Sequence, residues 1–171
     1  MSRLPIQKTY KLYIGGKFPR TESGRYLQIR DKKGTFVANV CRASRKDFRM
    51  AAVAARKAQA SWAARTPFNR GQVLYRMAEM LESRSSSFVD LIIKTTGAKR
   101  KDAQGEVEAS IDRLVWYAGW CDKFVQVFGC TNVVASSHFN FTIPEAMGVV
   151  TTFTPESSSL LGIVTACAPA L

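Results

Sequence analysis

The feature that most constrains this chain is a single strand–loop–helix unit at its C-terminal end. Gly148 precedes a β-branched run over 149–153, and a serine-rich loop over 155–159 leads into a predicted helix over 160–168. A parallel strand that is buried on both faces needs neighbouring strands to satisfy its backbone amides and carbonyls. One such unit is half of a βαβ motif, so the sequence predicts the start of a parallel sheet whose remaining strands are not among these 171 residues.

Upstream of this unit, the pattern predicts small β-hairpins, then four helices, then one alternating strand. Periodicity and turn signals predict short strands over 11–14, 26–30 and 35–41. Apolar spacing of three and four predicts helices over 44–62, 69–84, 88–94 and 101–124. Period-two alternation predicts a strand over 139–143. This order of elements predicts the α/β class.

The helices carry local signals for their starts and buried faces. Ser44 followed by Asp47 predicts the start of the first helix, since a hydroxyl can cap a free amide and an acid suits the first turn. The predicted apolar face of that helix consists of Phe48, Ala51, Ala55, Ala58 and Trp62. The predicted stripe of the second helix consists of Val73, Leu74, Met77, Ala78 and Leu81. The predicted stripe of the fourth consists of Val107, Ile111, Leu114 and Ala118, with Glu106, Glu108, Asp112 and Arg113 off that stripe.

The charge balance raises a nucleic-acid hypothesis that the distribution of charge disfavours. Lys and Arg number 25 against 13 acidic residues, for a net charge of +12. The basic residues are spread over the whole chain, and the densest groups, 42–49 and 99–101, lie at a helix start and beside a turn. A solvated basic surface therefore explains them better than a nucleic-acid site does, although a basic nucleic-acid-binding domain stays as an alternative.

Cysteine usage indicates reduced thiols in a cytoplasmic protein. Cys41, Cys121, Cys130 and Cys167 form no C-x-x-C pair, and His138 has no cysteine at ligand spacing, so we expect no metal site. No apolar run reaches the roughly 18 residues that a transmembrane helix needs, so no membrane association is expected. The first eleven residues lack the apolar run of a secretory signal.

From about Tyr10 onward, the chain resembles the aldehyde dehydrogenase superfamily. Its specificity lies in the order and spacing of several short matching segments rather than in any one of them. These segments are 11–18, 22–24, 53–62, 70–81, 96–97, 117–120, 139–142, 148–150 and 168–171. The resemblance implies the N-terminal part of an aldehyde dehydrogenase-like fold: β-hairpins, a helical segment and the start of a Rossmann-like parallel sheet, incomplete within this chain.

The resemblance also implies a division into three regions. Residues 1–129 correspond to the N-terminal hairpins and helices of the cofactor-binding domain. Residues 130–147 correspond to a strand region of the oligomerisation sheet. Residues 148–171 correspond to the first strand–loop–helix of the dinucleotide-binding sheet, truncated after the helix.

The implied activity is the NAD- or NADP-dependent oxidation of an aldehyde to a carboxylic acid. In this family a Cys thiolate attacks the carbonyl, hydride leaves for the nicotinamide, and a Glu-activated water releases the acyl group. The resemblance assigns Phe153, Thr154 and Pro155 to cofactor binding. In the family loop P-W-N-F-P, an Asn stabilises the oxyanion; here Ser157 occupies that position, and Glu156 replaces the Trp. The loop is interpreted as one that diverges from the family's, or that serves a divergent subfamily, in preference to direct catalysis by Ser157.

The family's nucleophilic Cys, in its G-Q-x-C setting, and its Glu base both come later than Leu171. None of the four cysteines has a base nearby in the sequence, and no G-x-G-x-x-G or P-loop pattern is present. We therefore expect a fragment that is inactive alone, with either a second chain carrying the C-terminal part or a homo-oligomer partner. The alternative within the same fold is a non-catalytic interaction module.

Overall fold

A small sheet forms from the first strands of the chain. The computed structural model describes residues 8–155 and 157–171. Strand β3 (Phe36–Cys41) lies in the centre, parallel to β1 (Thr9–Tyr10) and antiparallel to β2 (Tyr26–Arg30). The predicted hairpin of β2 and β3 is confirmed.

The turn between β2 and β3 is held by one carboxylate. Asp31 accepts hydrogen bonds from the backbone N–H of Thr35 at 2.8 Å and of Lys33 at 2.9 Å. The Thr35 hydrogen bond is the main reason that the pKa of Asp31 lies below its ordinary value. An aspartate that bonds the backbone two and four residues ahead closes the turn locally, as its residue type predicts.

The strand predicted over 11–14 is wrong in extent. Only Ile14 pairs with Lys17, through two backbone hydrogen bonds of 3.0 and 3.1 Å. Gly15 and Gly16 between them both have positive φ, at 58° and 77°. Two consecutive left-handed residues make a tight turn, so the predicted turn is confirmed, although the strand leading into it is reduced to this one bridge.

Six helices follow. They are α1 (Arg45–Ala63), α2 (Pro67–Glu82), α3 (Ser85–Thr96), α4 (Arg100–Trp120), α5 (Phe124–Phe128) and α6 (Ser159–Cys167). A single 3₁₀ turn over Ala168–Ala170 extends α6. None of the helices in the described part of the chain has the length and apolar character needed to cross a lipid bilayer.

Three helix boundaries differ from the prediction. Helix α2 begins at Pro67, because Thr66 caps the amide of Asn69 and proline is tolerated in the first turn. The three serines predicted to separate two helices are the first turn of α3 instead. Helix α4 ends at Trp120, and the residues expected to continue it form a turn and the separate helix α5.

The start of α1 is the most heavily bonded helix terminus. Ser44 and Asp47 form the reciprocal capping box, and Asp47 also accepts hydrogen bonds from the Thr21 hydroxyl at 2.5 Å and the Glu22 amide at 3.1 Å. The Thr21 bond is the largest cause of a fall in the pKa of Asp47 from 3.8 to about 2. The predicted helix start is therefore confirmed, and the same carboxylate ties the preceding loop to α1.

The predicted apolar face of α1 is wrong in part. Phe48 is 59% exposed, and Ala55 and Ala58 are exposed as well. Ala51 and Trp62 are half-buried, and the Trp62 indole donates to the carbonyl oxygen of Leu171 at 2.9 Å. Spacing alone identifies a possible apolar face, but only a neighbouring element can bury it.

The core lies where α2, α3, α4 and α6 meet. One buried cluster joins α2, α4 and α6, and a second joins α3 and α4. Leu74 of α2 is 1% exposed. The buried apolar residues of these four helices are Leu74, Ala78, Leu81, Val89, Ile92, Ala103, Val107, Leu114 and Val164. The predicted stripes of the second and fourth helices are thus largely confirmed.

Two predicted strands near the C-terminal end are shorter than expected or absent from the described residues. Over 139–143, only Asn140–Phe141 (β5) forms a strand, antiparallel to Thr131–Asn132 (β4). The stretch 149–153 forms no strand and has no partner strand among the described residues, and its residues Val149, Val150 and Phe153 are exposed. Since a strand is defined by hydrogen bonds to a neighbour, apolar β-branched residues alone do not make one.

The chain exposes much more surface than a compact domain of its size. Its accessible area is 13356 Å² for a mass of 19.0 kDa. A compact monomer of that mass exposes about 8,400 Å². Exposed large apolar side chains contribute to the excess. They occur on each of the six helices and in the segment from Val133 to Phe153. Large apolar side chains left exposed in this way favour an interaction surface.

Candidate functional site

The predicted site residues lie on one loop, residues 152–158, which directly precedes α6. Phe153, Thr154, Pro155 and Ser157 are all exposed, and Phe153 is 93% exposed. Glu156, predicted to replace a cofactor-facing Trp, lies outside the described residues. The loop thus offers these four side chains to solvent, while their assignment to cofactor and oxyanion stays a prediction.

Two contacts hold the loop against the body of α6. A Cβ on Gly162 would lie 2.9 Å from Cγ of Pro155, so the proline ring rests on the bare backbone of α6. The Thr152 hydroxyl and the Cys167 thiol lie 3.4 Å apart. The close approach requires a glycine at 162, because any side chain there would displace the rigid pyrrolidine ring.

The N-terminus of α6 is capped from a different helix. Ser158, the N-cap residue, makes no side-chain cap hydrogen bond. Instead, Oε1 of Glu106 on α4 accepts hydrogen bonds from the backbone N–H of Leu160 at 2.8 Å and of Leu161 at 3.3 Å. Free N–H groups and partial positive charge at a helix start favour a carboxylate there.

Sequence reasoning missed Glu106. It was placed off the apolar stripe of α4, where an acidic residue is normally a solvated surface group. A serine directly before a helix normally caps it locally, so the sequence gives no hint of a carboxylate 54 residues earlier. Only the packing of α4 against α6 brings the two together.

The thiols differ in environment but none stands beside a base in the described structure. Burial raises the pKa of the Cys121 thiol, which donates a hydrogen bond to the carbonyl oxygen of Tyr117 at 3.4 Å. Cys130 is exposed, and its sulfur lies 3.3 Å from the amide oxygen of Asn132. A thiol with a raised pKa holds less thiolate, so Cys121 has the wrong properties for a nucleophile.

An apolar groove opens between α2 and α6. Its volume is about 640 Å³, and Leu160 at the start of α6 forms part of its wall. The other apolar lining residues are Val73, Met77, Met80, Leu81, Phe88, Leu114, Ile163 and Val164. Arg65, Arg76 and Arg84 stand among them. The groove is therefore an apolar surface with a basic rim, and it reaches the start of α6 at Leu160.

The comparison with known protein families identifies the class. The profile of the aldehyde dehydrogenase family matches residues 18–171. That range is most of the chain, and it includes the whole of the loop and α6. The chain belongs to the aldehyde dehydrogenase family and corresponds to its N-terminal portion.

Individual relatives agree with this assignment. DhaS of Bacillus subtilis strain 168, a protein with an aldehyde dehydrogenase name, is 31% identical over 160 residues, which are 91% of this chain and 32% of DhaS. An aldehyde dehydrogenase of Aspergillus niger is 30% identical over 152 residues, covering 88% of this chain and 30% of that protein. The chain therefore spans about a third of the length of these relatives.

Solved structures show the same fold. A salicylaldehyde dehydrogenase from Pseudomonas putida G7 superimposes with a TM-score of 0.89 at 21% identity, over 96% of this chain and 34% of that chain. An NAD-dependent benzaldehyde dehydrogenase from Corynebacterium glutamicum gives a TM-score of 0.85 at 28% identity, over 94% and 35%. This chain has the mixed α/β architecture of about one third of an aldehyde dehydrogenase-like fold.

Proposed function

We propose that this chain supplies the N-terminal portion of an NAD- or NADP-dependent aldehyde dehydrogenase, which oxidises an aldehyde to a carboxylic acid. The observation that carries the proposal is the family match over residues 18–171, a range that includes the loop and α6. The benzaldehyde dehydrogenase of Corynebacterium glutamicum, described as NAD-dependent, supports the nucleotide. The loop then lies where cofactor and reacting carbonyl meet.

Within the loop, we propose that Phe153, Thr154 and Pro155 contact the cofactor and that Ser157 faces the oxyanion. The exposure of all four side chains supports this assignment, because a ligand can reach them. Phe153, Thr154 and Pro155 would hold the nucleotide, which would supply the hydride acceptor for the oxidation. Ser157 donates a hydrogen bond through its hydroxyl, which is shorter than the Asn amide of the family, so its oxyanion contact is weaker or passes through water.

The same proposal divides the chain by function. Residues 1–129 contribute hairpins and helices to the cofactor-binding domain, and residues 130–147 contribute to an oligomerisation sheet. Residues 148–171 begin the dinucleotide-binding sheet. The pairing of Thr131–Asn132 with Asn140–Phe141 supports the second region, because this exposed two-stranded ribbon has edges open to further strands.

We further propose that a second polypeptide completes the site by bringing the Cys thiolate and the Glu base. The large exposed area supports such a partner, since obligate interfaces bury roughly 2,000–5,000 Å². The apolar groove beside Leu160 is part of the surface that it covers. We propose the cytoplasm as the compartment, supported by the four free thiols of the structure.

Coexpression tests the proposal. The 171-residue chain is produced together with the region of Bacillus subtilis DhaS that follows the segment matched here, and the copurified complex is assayed for NADH or NADPH formation with benzaldehyde. We expect aldehyde-dependent reduction by the complex and none by either chain alone. A control uses the same DhaS region with its nucleophilic Cys changed to Ser, which abolishes turnover and leaves assembly intact.

A Ser157→Asn variant sharpens the result. Loss of one oxyanion donor typically costs about 2.7–4 kcal/mol in the barrier, which is about 100- to 1000-fold in rate, so restoring the family's amide is expected to raise kcat by at most that factor. A complex that assembles yet turns over neither as wild type nor as Ser157→Asn contradicts the catalytic proposal. That outcome favours the non-catalytic interaction module.

A further inference from the structure

Glu106 is the side chain that joins α4 to the loop before α6. Its Oε1 lies 2.8 Å from the Leu160 amide nitrogen and 3.3 Å from that of Leu161, and the Ser159 hydroxyl is at 3.4 Å. Three donors therefore converge on one carboxylate oxygen. Such charge-assisted hydrogen bonds are stronger than those between neutral groups.

The backbone beneath Glu106 is firmly held. The Ser110 hydroxyl donates to the Glu106 carbonyl oxygen at 2.6 Å, and Ser110 itself is fully buried. Ala103 and Val107, on either side along the buried face of α4, are also buried completely or nearly so. Leu160 packs against both core clusters, so donor and acceptor are each fixed to the core.

Pro155 and Glu106 restrain the loop from its two ends. The Pro155 ring rests on Gly162, which fixes the backbone before Ser157. The Glu106 carboxylate fixes the backbone at Ser159 and Leu160, just after it. A catalytic donor must be held close to its productive geometry by the groups around it.

We infer that Glu106 is a positioning residue, which holds the N-terminus of α6 on α4 and so fixes the backbone that carries Ser157. Because the carboxylate takes the free amides of Leu160 and Leu161, these amides are not available to an oxyanion or a phosphate. The oxyanion contact is left to Ser157. The link to Ser157 rests on the proposed function, whereas the Glu106 contact does not.

Amide hydrogen exchange of the full 171-residue chain, followed residue by residue by NMR, tests the inference. We expect Glu106→Ala to speed exchange at Leu160 and Leu161 by about tenfold or more, because each loses a bond to a charged acceptor. We expect Glu106→Gln to stay within a few-fold of wild type, since its carbonyl oxygen can accept the same bonds. Glu108→Ala, an exposed acid on the same helix, is the matched control and should change neither amide.

Added acetate provides a readout that a purely structural role does not move. In Glu106→Ala, sodium acetate should slow exchange at Leu160 and Leu161 by occupying the vacated carboxylate position, whereas sodium chloride at equal ionic strength should not. Wild type and Glu106→Gln should show no acetate effect. Unchanged exchange in Glu106→Ala, or loss of protection in Glu106→Gln equal to that in Glu106→Ala, overturns the inference.

Loss of exchange protection at the core amide of Leu114 in Glu106→Ala would indicate that this variant is destabilised as a whole. In that case Glu106→Asp is compared with Glu106→Gln instead. The shorter Asp keeps the charge but loses the reach, so only Gln should preserve the Leu160 amide if contact is what matters. The reverse order overturns the inference. None of these readouts requires turnover, so failure here is distinct from failure of the aldehyde dehydrogenase proposal.

Discussion

The contact of Gly71 with α4 yields the sharpest prediction about stability. Gly71 is buried on α2, and a Cβ built on it would lie 2.7 Å from the carbonyl oxygen of Ala118. Ordinary van der Waals contact begins at 3.4 Å, so Gly71→Ala requires the two helices to separate locally by about 0.7 Å. Gly105 on α4 is exposed and has no atom within 4 Å of such a Cβ, so Gly105→Ala is the matched control.

The two substitutions share a gain in helix propensity and differ in the steric cost of the added Cβ. Replacing a helical Gly by Ala stabilises the helix by about 1 kcal/mol at either site. Overpacking at Gly71 costs roughly 1–3 kcal/mol, because the α2–α4 interface includes fully buried side chains such as Leu74 and cannot open freely. We therefore expect Gly105→Ala to raise the free energy of unfolding and Gly71→Ala to fall below it by about 1–3 kcal/mol.

Urea unfolding followed by far-UV circular dichroism measures both variants against wild type. The difference in the free energy of unfolding between the two variants isolates the steric cost, since the propensity gain cancels. If Gly71→Ala proves as stable as Gly105→Ala, α2 and α4 do not approach each other as described, and the helix pairing that supports the site is wrong.

Three further predictions concern the site and the core. Asp47 has a folded pKa of about 2 against an ordinary value of 3.8, so its ionised form stabilises the fold above the higher value, and this stabilisation is lost as the pH falls through the lower value. Between about pH 5 and pH 2, wild type should therefore lose a part of its stability that Asp47→Asn lacks at every pH. Parallel curves for the two proteins in acid unfolding would contradict this. Gly162→Ala should displace Pro155, lower the free energy of unfolding by roughly 1–3 kcal/mol and increase protease cleavage in the loop. A loop that is cleaved no faster than in wild type would contradict this. Leu74→Ala should cost about 3–5 kcal/mol in thermal unfolding, and a cost under about 1 kcal/mol shows that the cluster is not closed around it.

Local signals account for the parts of the fold that could be predicted. The capping box of Ser44 and Asp47 was predicted because both partners lie within one helical turn. Leu74 and Leu81 were predicted to be buried because spacing of three and four places them on one face of α2. The same reasoning placed Phe48 on the apolar face of α1, which the structure leaves exposed at that residue, since nothing in the sequence states which helix has a neighbour.

The stretch 149–153 shows the same limit for strands. Its β-branched residues predict a buried strand, but the structure leaves Val149 and Val150 exposed and without a partner strand among the described residues. Side-chain type is a property of the segment itself. The hydrogen bonds of a ladder come from another segment, so they depend on what lies beside it.

The sequence by itself determined the family, the helical order and most buried faces of α2 and α4, because these depend on short-range periodicity and on the spacing of matching segments. The tertiary structure alone decided that Glu106 caps α6, that Pro155 rests on Gly162 and that α4 approaches the bare backbone of Gly71. Each of those contacts joins groups whose proximity is set by packing. The sequence shows which residues can donate or accept a hydrogen bond and which lack a side chain. The residue that each of them contacts is determined only by how the helices pack.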